Sequence, residues 1–383
     1  MKLLMVSHYF ESHRGGIEIV AGQLARALGR LGNDVIWLAT DATPPPAGTE
    51  SFTPVAVRAI NTSEKYLGLP FPVPTPGALL RIYHEVYWAD AVLLHDTLYP
   101  TSFATFAFAY FVRKPVIIIA HVGAVPYRNP LLRSIMSVAN RVVARPLLAR
   151  CDRVAFISEI TARYFSEVPF RSPPVLILNG VDPGIFSPVS PDQKQKLRRD
   201  LGFALDRTIA LFVGRFVEKK GLDILSRMAR LRPDIIWAFA GWGHLDPCRW
   251  GLTNVIVFSG LRGISLTQLY RASDLFVLPS KGEGFPLVIQ EALACGLPVV
   301  CSAETAGADT AASRFLSPVP MDQEEPDAAA LAFCQEIDRV LAGDGSTRIS
   351  SEERFRFVSA RYCWTDTARR YVELIRPVLA RTP

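Results

Sequence analysis

Two carboxylates and two cations in this chain are spaced for work on an anionic, oxygen-rich ligand. Glu283 stands between two glycines in Ser280-Lys281-Gly282-Glu283-Gly284, and Glu291 follows eight positions later. Glycine on both sides of Glu283 lets the backbone approach a ligand closely. Arg215 and Lys220 lie five residues apart in Gly214-Arg215-Phe216-Val217-Glu218-Lys219-Lys220-Gly221. Two cations that converge on a helix start form a diphosphate clamp, the guanidinium bonding bidentately and the ammonium acting as a point charge. Spacing alone does not choose between Lys219 and Lys220. His121 closes an apolar run, VIIIA, and precedes Gly123, so it sits at the carboxyl end of a strand. His95-Asp96 ends another strand, with loop structure and cleft lining equally open to it; His8, His13, His84 and His244 read as ordinary core or surface histidines.

These groups need strands that end beside helix starts. Leu275–Leu278 has the length and flanks of a buried parallel strand. The pattern predicts a helix from Phe285, with Pro286 at its first position, where a missing N–H costs nothing. Gly296 and Pro298 end that helix, and Val299-Val300 begins the next strand. The free amides near Gly284, Phe285, Pro286 and Leu287 favour anionic or oxygen-rich ligands. Upstream, Thr208–Phe216 reads as a strand with a helix from Gly221. Near the start, a strand over Lys2–Phe10 leads through Gly15-Gly16 into a helix with apolar residues at Ile17, Val20, Leu24, Leu28 and Leu31. That opening also presents helix amides to an anion. Further strands are expected at 34–40, 54–60, 91–95, 115–122, 153–158, 175–178, 235–240 and 254–259, with helices between most of them. This alternation predicts an α/β fold with parallel sheets covered on both faces. Proline-rich loops at 44–46 and 70–76 are punctuation. An irregular stretch after Asn179-Gly180-Val181-Asp182 puts a domain boundary near 188.

EGFPLVIQEALACGLPVV, with the Glu283–Glu291 pair, resembles the Glu-x7-Glu motif of glycosyltransferase family 4, and Gly-Arg-x4-Lys-Gly at 214–221 matches a second pattern of that family. The resemblance covers nearly all of the chain. It implies a GT-B fold: two Rossmann-like domains facing a cleft, residues 1–188 on the acceptor side and 189–363 binding the nucleotide sugar. A last helix, 364–383, returns to the first domain. It implies retaining transfer from a nucleoside-diphosphate sugar to an acceptor hydroxyl, in polysaccharide or glycolipid synthesis. The roles it assigns are ribose binding for Glu291, diphosphate neutralisation for Arg215 and Lys220, sugar hydroxyls for Glu283 and the amides of 284–287, and orientation for His121. Gly15 and Gly16 would lie near the donor phosphates. No cofactor is implied. No metal is expected, because there is no Asp-x-Asp triplet and cations take over its role. The text after Val300, AETAGADTAASRF, departs from the family's pattern and yields no site residue.

Composition bounds the rest. At 383 residues and 49% hydrophobic, the chain supports two full cores. A formal charge of +6 suits phosphate-bearing ligands or an anionic membrane surface, and no nucleic-acid motif is present. Six cysteines lack zinc or redox spacing, which predicts reduced thiols in a cytoplasmic enzyme. The most apolar region, 103–119, is too broken to span a bilayer. Residues 128–153 read as an amphipathic helix interrupted at Pro146, with Arg133, Arg141 and Arg145 on one side. Its other side, Leu132, Ile135, Met136, Ala139, Val142 and Val143, is expected to pack the core. The basic side then faces water or the inner face of a membrane carrying a lipid-linked acceptor. Three rival readings are a sugar-nucleotide epimerase on a similar fold, a non-catalytic sugar-nucleotide-binding subunit and a nicotinamide dehydrogenase. The last lacks its G-x-G-x-x-G.

Overall fold

A computed structural model describes residues 1–62, 71–123, 130–321, 325–343 and 348–380, without the side chains of Pro130 and Leu132. Pro70 and Arg128 therefore fall outside the described residues. The chain forms two compact units, Met1–Gly180 with Trp364–Pro383, and Val181–Cys363. The division falls before the expected boundary at 188. Arg271 of the second unit explains this, since its guanidinium donates to the carbonyls of Ile185 and Ser187 and to the Ser187 hydroxyl.

In the first unit the strands are β1 (Lys2–Val6), β2 (Asp34–Thr40), β3 (Thr53–Val57), β4 (Ala59–Ile60), β5 (Val73–Pro74), β6 (Ala91–His95), β7 (Val116–Ala120), β8 (Arg153–Phe156) and β9 (Val175–Leu176). Seven of them form one parallel sheet in the order β3-β2-β1-β6-β7-β8-β9. The strand expected over 54–60 is split, because β4 leaves the sheet and pairs antiparallel with β5. β1 is shorter than expected: the Ser7 hydroxyl donates to the Tyr9 carbonyl and turns the chain.

The helices are α1 (Gly16–Arg30), α2 (Pro76–Trp88), α3 (Pro100–Phe111), α4 (Pro130–Ala139), α5 (Arg145–Arg150) and α6 (Glu159–Tyr164). α1 covers one face of the sheet, burying Leu24 and Leu28 against Leu3, Met5 and Leu93. α2, α3 and α5 cover the other, through Ile82, Val86, Phe106, Leu147 and Leu148. Pro146 does not interrupt the 130–150 helix. A π-turn over Asn140–Ala144 joins α4 to α5. A proline clashes with the carbonyl four residues back, and the wider turn accommodates it. The expected burial also differs. Ile135 and Val142 face solvent, while Asn140, Ala144, Leu147 and Leu148 are the buried positions.

The second unit has β10 (Ile209–Phe216), β11 (Ile236–Gly243), β12 (Val255–Phe258), β13 (Leu275–Leu278), β14 (Val299–Ser302) and β15 (Leu316–Val319) in a parallel sheet ordered β12-β11-β10-β13-β14-β15. Its helices are α7 (Pro191–Asp200), α8 (Leu222–Leu231), α9 (Gly263–Ala272), α10 (Leu287–Ala294), α11 (Ala303–Ala306), α12 (Pro326–Leu341) and α13 (Ser351–Arg361). The last helix, α14 (Trp364–Leu379), belongs to the first unit, where Ala368, Tyr371 and Ile375 join the α1 side of its core. No helix among the described residues is long and apolar enough to cross a membrane.

Candidate active site

Each sheet reverses its winding once, between β1 and β6 in the first unit and between β10 and β13 in the second. Crevices at the carboxyl ends of such strands are where open α/β sheets bind ligands. The residues with chemical potential collect at these two places, one set in each unit.

In the second unit, β10 delivers Arg215 and β13 delivers the Ser280–Gly284 turn. Two backbone devices hold the intervening lysines against that turn. Gly221 has φ of +73°, and a Cβ there would lie 2.3 Å from the Pro279 carbonyl oxygen. The Lys281 amide donates to the Lys219 carbonyl across 2.9 Å. The single 3-10 turn Glu218–Lys220 is thereby pressed onto the end of β13. The result is an ion cluster: Lys220 Nζ lies 3.1 Å and Lys219 Nζ 3.3 Å from Glu283 Oε1. Burial works to raise the Glu283 carboxyl, but the two ammoniums overcome it and hold the group below the usual range. At Lys220 burial wins, and its pKa is lowered despite the Glu283 charge; Lys219 and Arg215 add to that lowering. Two ammoniums thus share one carboxylate, with the Arg215 charge acting on Lys220, an excess suited to a multiply charged anion.

α10 begins at Leu287, not Phe285. Pro286 is its N-cap, with ψ of 134°, and no side chain caps the end. An extended ψ cannot carry the first helical turn, so the free amides of the helix itself start at Leu287. The Phe285 ring is buried on Tyr362, 5.5 Å between centroids, which leaves only its backbone for a ligand. Gly284 is partly exposed between Glu283 and that ring. Glu291 has Tyr270, not a cation, as its partner. The Tyr270 hydroxyl donates to Glu291 Oε2 across 2.8 Å. Burial raises the Glu291 carboxyl to about 7, with the tyrosine working in the lowering direction.

In the first unit, Gly15 is the N-cap of α1 and Gly16 its first residue. A Cβ on Gly15 would strike the Glu18 carboxylate, whereas one on Gly16 would meet nothing within 4 Å. Glu18 is buried. Its Oε1 pairs with His8 Nε2 at 3.0 Å and lies 3.9 Å from His13 Nδ1. Burial acts to raise Glu18, and His8 reverses this to a net lowering. His8 stacks on Tyr99 with ring centroids 3.6 Å apart. His121 Nε2 and His95 Nδ1 share a hydrogen bond of 2.9 Å. The His121 amide donates to Asp96 Oδ1. Burial pushes His121 down to about 3 and His95 well below its usual value, so both rings are neutral. Burial raises Asp96 to about 7.

The second unit therefore brings Arg215, Lys220 and Glu283 together, and the first places Gly15, Gly16 and His121 around a buried carboxylate–imidazole cluster. Sequence reading missed Lys219 as a partner of Glu283, Tyr270 as the support of Glu291 and Glu18 altogether, and it gave His8 no part in a site. A trace of Glu18 was available: an acid in the first turn right after a Gly-Gly opening is placed by the helix dipole. Nothing in the sequence marks Tyr270.

Two Rossmann-like parallel-sheet domains, each with candidate residues at its switch point, have the architecture of the GT-B fold class. The chain belongs to glycosyltransferase family 4: the model of that name matches residues 14–184, and the model "Glycosyl transferases group 1" matches 193–333. A D-inositol 3-phosphate glycosyltransferase of Thermobispora bispora is 33% identical over 60% of this chain and 57% of its own. An uncharacterised glycosyltransferase of Methanocaldococcus jannaschii is 30% identical over 52% of this chain and 53% of its own. The chain spans about half the length of the curated relatives it matches. Among solved structures, sucrose-phosphate synthase of Thermosynechococcus elongatus shares the fold with a TM-score of 0.76 at 20% identity, over 99% of both chains. HepE of Anabaena, solved with UDP, gives 0.72 at 18% identity, over 98% of this chain and 100% of its own.

Proposed function

We propose that the protein transfers a sugar, with retention, from a nucleoside-diphosphate sugar to an acceptor hydroxyl on a glycan or a lipid-linked molecule. The observation that carries this is the excess of cations over carboxylate at the β10/β13 switch point. Lys219 and Lys220 both pair with a single Glu283, and Arg215 adds its charge at Lys220, a balance that a departing diphosphate completes. The charge that grows on that leaving group strengthens its contacts in the transition state. The phosphate oxygens compete with Glu283 for Lys220, while Glu283 Oε2 accepts from a sugar hydroxyl. Glu291, once ionised, accepts from the ribose hydroxyls. The leaving phosphate takes the acceptor's proton, so no protein nucleophile is needed. His121, neutral and tied to His95, orients rather than exchanges protons. The cations do the work of a metal, and chelator leaves turnover unchanged. One structural neighbour, HepE of Anabaena, was crystallised with UDP and with UDP-glucose, and several curated relatives are named for D-inositol 3-phosphate; these make UDP-glucose and inositol phosphates the first compounds to test.

The test is a thermal-shift screen of nucleotide sugars, followed by release of nucleoside diphosphate with and without acceptor. Transfer predicts release that needs an acceptor, and an Arg215→Ala variant at least about 10²-fold slower, the usual loss for one such contact. Equal release without acceptor points to an epimerase-like reaction, and binding without turnover to a non-catalytic subunit.

A further inference from the structure

The amino ends of β13 and β14 border a cavity of about 330 Å³ within the second unit. Asp274 leads into β13, and Gly296 to Pro298 lead into β14, so the cavity lies at the opposite edge of the sheet from Glu283. Its cations come from three helices: Lys194 from α7, Arg271 from α9 and Arg354 from α13. Among the described residues, Asp274 is the one acid on its wall. That acid is already saturated. Lys194 Nζ lies 2.8 Å from its Oδ1, while Arg198 Nη2 and the Ile209 amide both donate to its Oδ2. Burial works to raise the Asp274 carboxyl, but Lys194, the Ile209 amide and Arg198 hold it below the usual range.

The cations keep donors in reserve. Arg271 commits Nε and Nη2 to the Ser187 and Ile185 carbonyls and the Ser187 hydroxyl, and among the described residues its Nη1 donates to none. An ammonium carries three protons, and Lys194 uses one on Asp274. Arg354 is only 3% exposed, and its Nη1 reaches a neutral group, the Gly296 carbonyl, at 3.3 Å. Burial pulls its guanidinium down to about 10 against the Glu353 charge, a cost that an anion alongside offsets. Ser350 and Ser351, at the N-terminus of α13, also line the cavity, and free amides at a helix start favour negative charge. The acids of that turn are engaged elsewhere, Glu352 with Arg356 and Glu353 with Arg314.

We propose that this cavity binds a phosphate-bearing small molecule, held by Lys194, Arg271 and Arg354 and separate from the diphosphate clamp. Its volume is at the lower end for ligand sites, which run about 300–1,000 Å³, and suits phosphate alone or phosphate with a small organic group. A bound phosphate joins α7, α9 and α13, and so ties the first helix of the second unit to the entry of β13 and β14. The inference goes beyond sugar transfer, because occupancy of this edge of the sheet needs neither donor nor acceptor.

Calorimetry with inorganic phosphate and with glycerol 3-phosphate tests it, at constant ionic strength. The full chain carries Arg215→Ala and Lys220→Ala, so that the clamp is silent. One saturable site is expected in that variant, and adding Lys194→Gln weakens it about tenfold, the loss of one hydrogen bond to a charged group. Lys194 is partly exposed, and an unchanged melting curve shows that the added substitution leaves the fold intact. Tighter binding of glycerol 3-phosphate assigns the rest of the cavity to an organic group, and equal affinities assign the site to free phosphate. Wild-type crystals grown in phosphate read the same site without any substitution, with density expected between Lys194 and Arg271. Phosphate found only at Arg215 and Lys220, no saturable binding in the clamp variant, or binding that Lys194→Gln leaves unchanged overturns the proposal.

Discussion

Replacing Tyr270 with phenylalanine removes one hydroxyl from a buried ring and tests how Glu291 is made to work. The hydroxyl donates to Glu291 Oε2 across 2.8 Å, and the carboxyl already sits at about 7 because burial outweighs that bond. A hydrogen bond to a charged group is worth about 1.5–3 kcal/mol, and one pKa unit is about 1.4 kcal/mol. Losing the bond therefore moves Glu291 up by about one to two units. Only the ionised carboxylate accepts from both ribose hydroxyls. At pH 7 the ionised fraction falls from about a half to about a tenth or a hundredth, a loss of roughly 5- to 50-fold in affinity. At pH 9 the same shift costs about twofold or less. Calorimetry with UDP at the two pH values measures both losses. The ligand's own ionisation cancels in the ratio of variant to wild type. An equal loss at pH 7 and pH 9 would mean that Tyr270 acts only by packing, and the linkage between Glu291 ionisation and binding would be refuted.

Three further outcomes follow from the geometry. Gly221→Ala meets both a left-handed φ and the Pro279 carbonyl, so the urea midpoint drops by the equivalent of about 1–3 kcal/mol; a midpoint within error of wild type contradicts the packing of the lysine turn. Glu291→Ala weakens UDP binding, while Glu283→Ala spares it and slows sugar transfer, as calorimetry and turnover in parallel will show; equal binding losses remove the division of roles. Asp96, raised to about 7 by burial, holds a proton in the folded chain that the unfolded chain has lost above about pH 4. Rising pH from about 4 to 7 therefore favours unfolding through this group. Asp96→Asn keeps the shape, tolerates the φ of +64°, and flattens that slope in urea titrations; an unchanged slope assigns the dependence elsewhere.

The frame of the fold was legible because its strands are unbroken apolar runs. Val116–Ala120 and Leu275–Leu278 can be nothing but buried strands once glycine and proline punctuate them. β15 was not legible: Leu316–Val319 is short, contains Pro318, and follows a stretch without periodicity. The start of α10 was misplaced by two residues because proline suits both the N-cap and the first turn, and tertiary packing of Phe285 on Tyr362 decides between them. Arg215, Glu283 and Glu291 were visible through spacing, and Lys220 only through the resemblance to the family's pattern. Their partners were not: Lys219 meets Glu283 because adjacent strands β10 and β13 bring their loops together, and Tyr270 meets Glu291 because α9 packs on α10. Ile135 and Val142, which face solvent, were read as core-facing, since helical periodicity shows that a face is apolar but not what covers it.

The placement of α14 bears on how the chain is made. Ala368, Tyr371 and Ile375 complete the core under α1, and the Trp364 indole packs where a side chain on Gly180 would stand. All of Val181–Cys363 is synthesised before that helix. At ~5–20 residues per second, the first unit leaves the ribosome with one wall of its core open for roughly ten to forty seconds. During that interval Leu24, Leu28 and their neighbours lack the cover that Ala368, Tyr371 and Ile375 supply. The last helix is thus the bolt that closes the first-made domain, and the second unit has its whole sequence out before the bolt arrives.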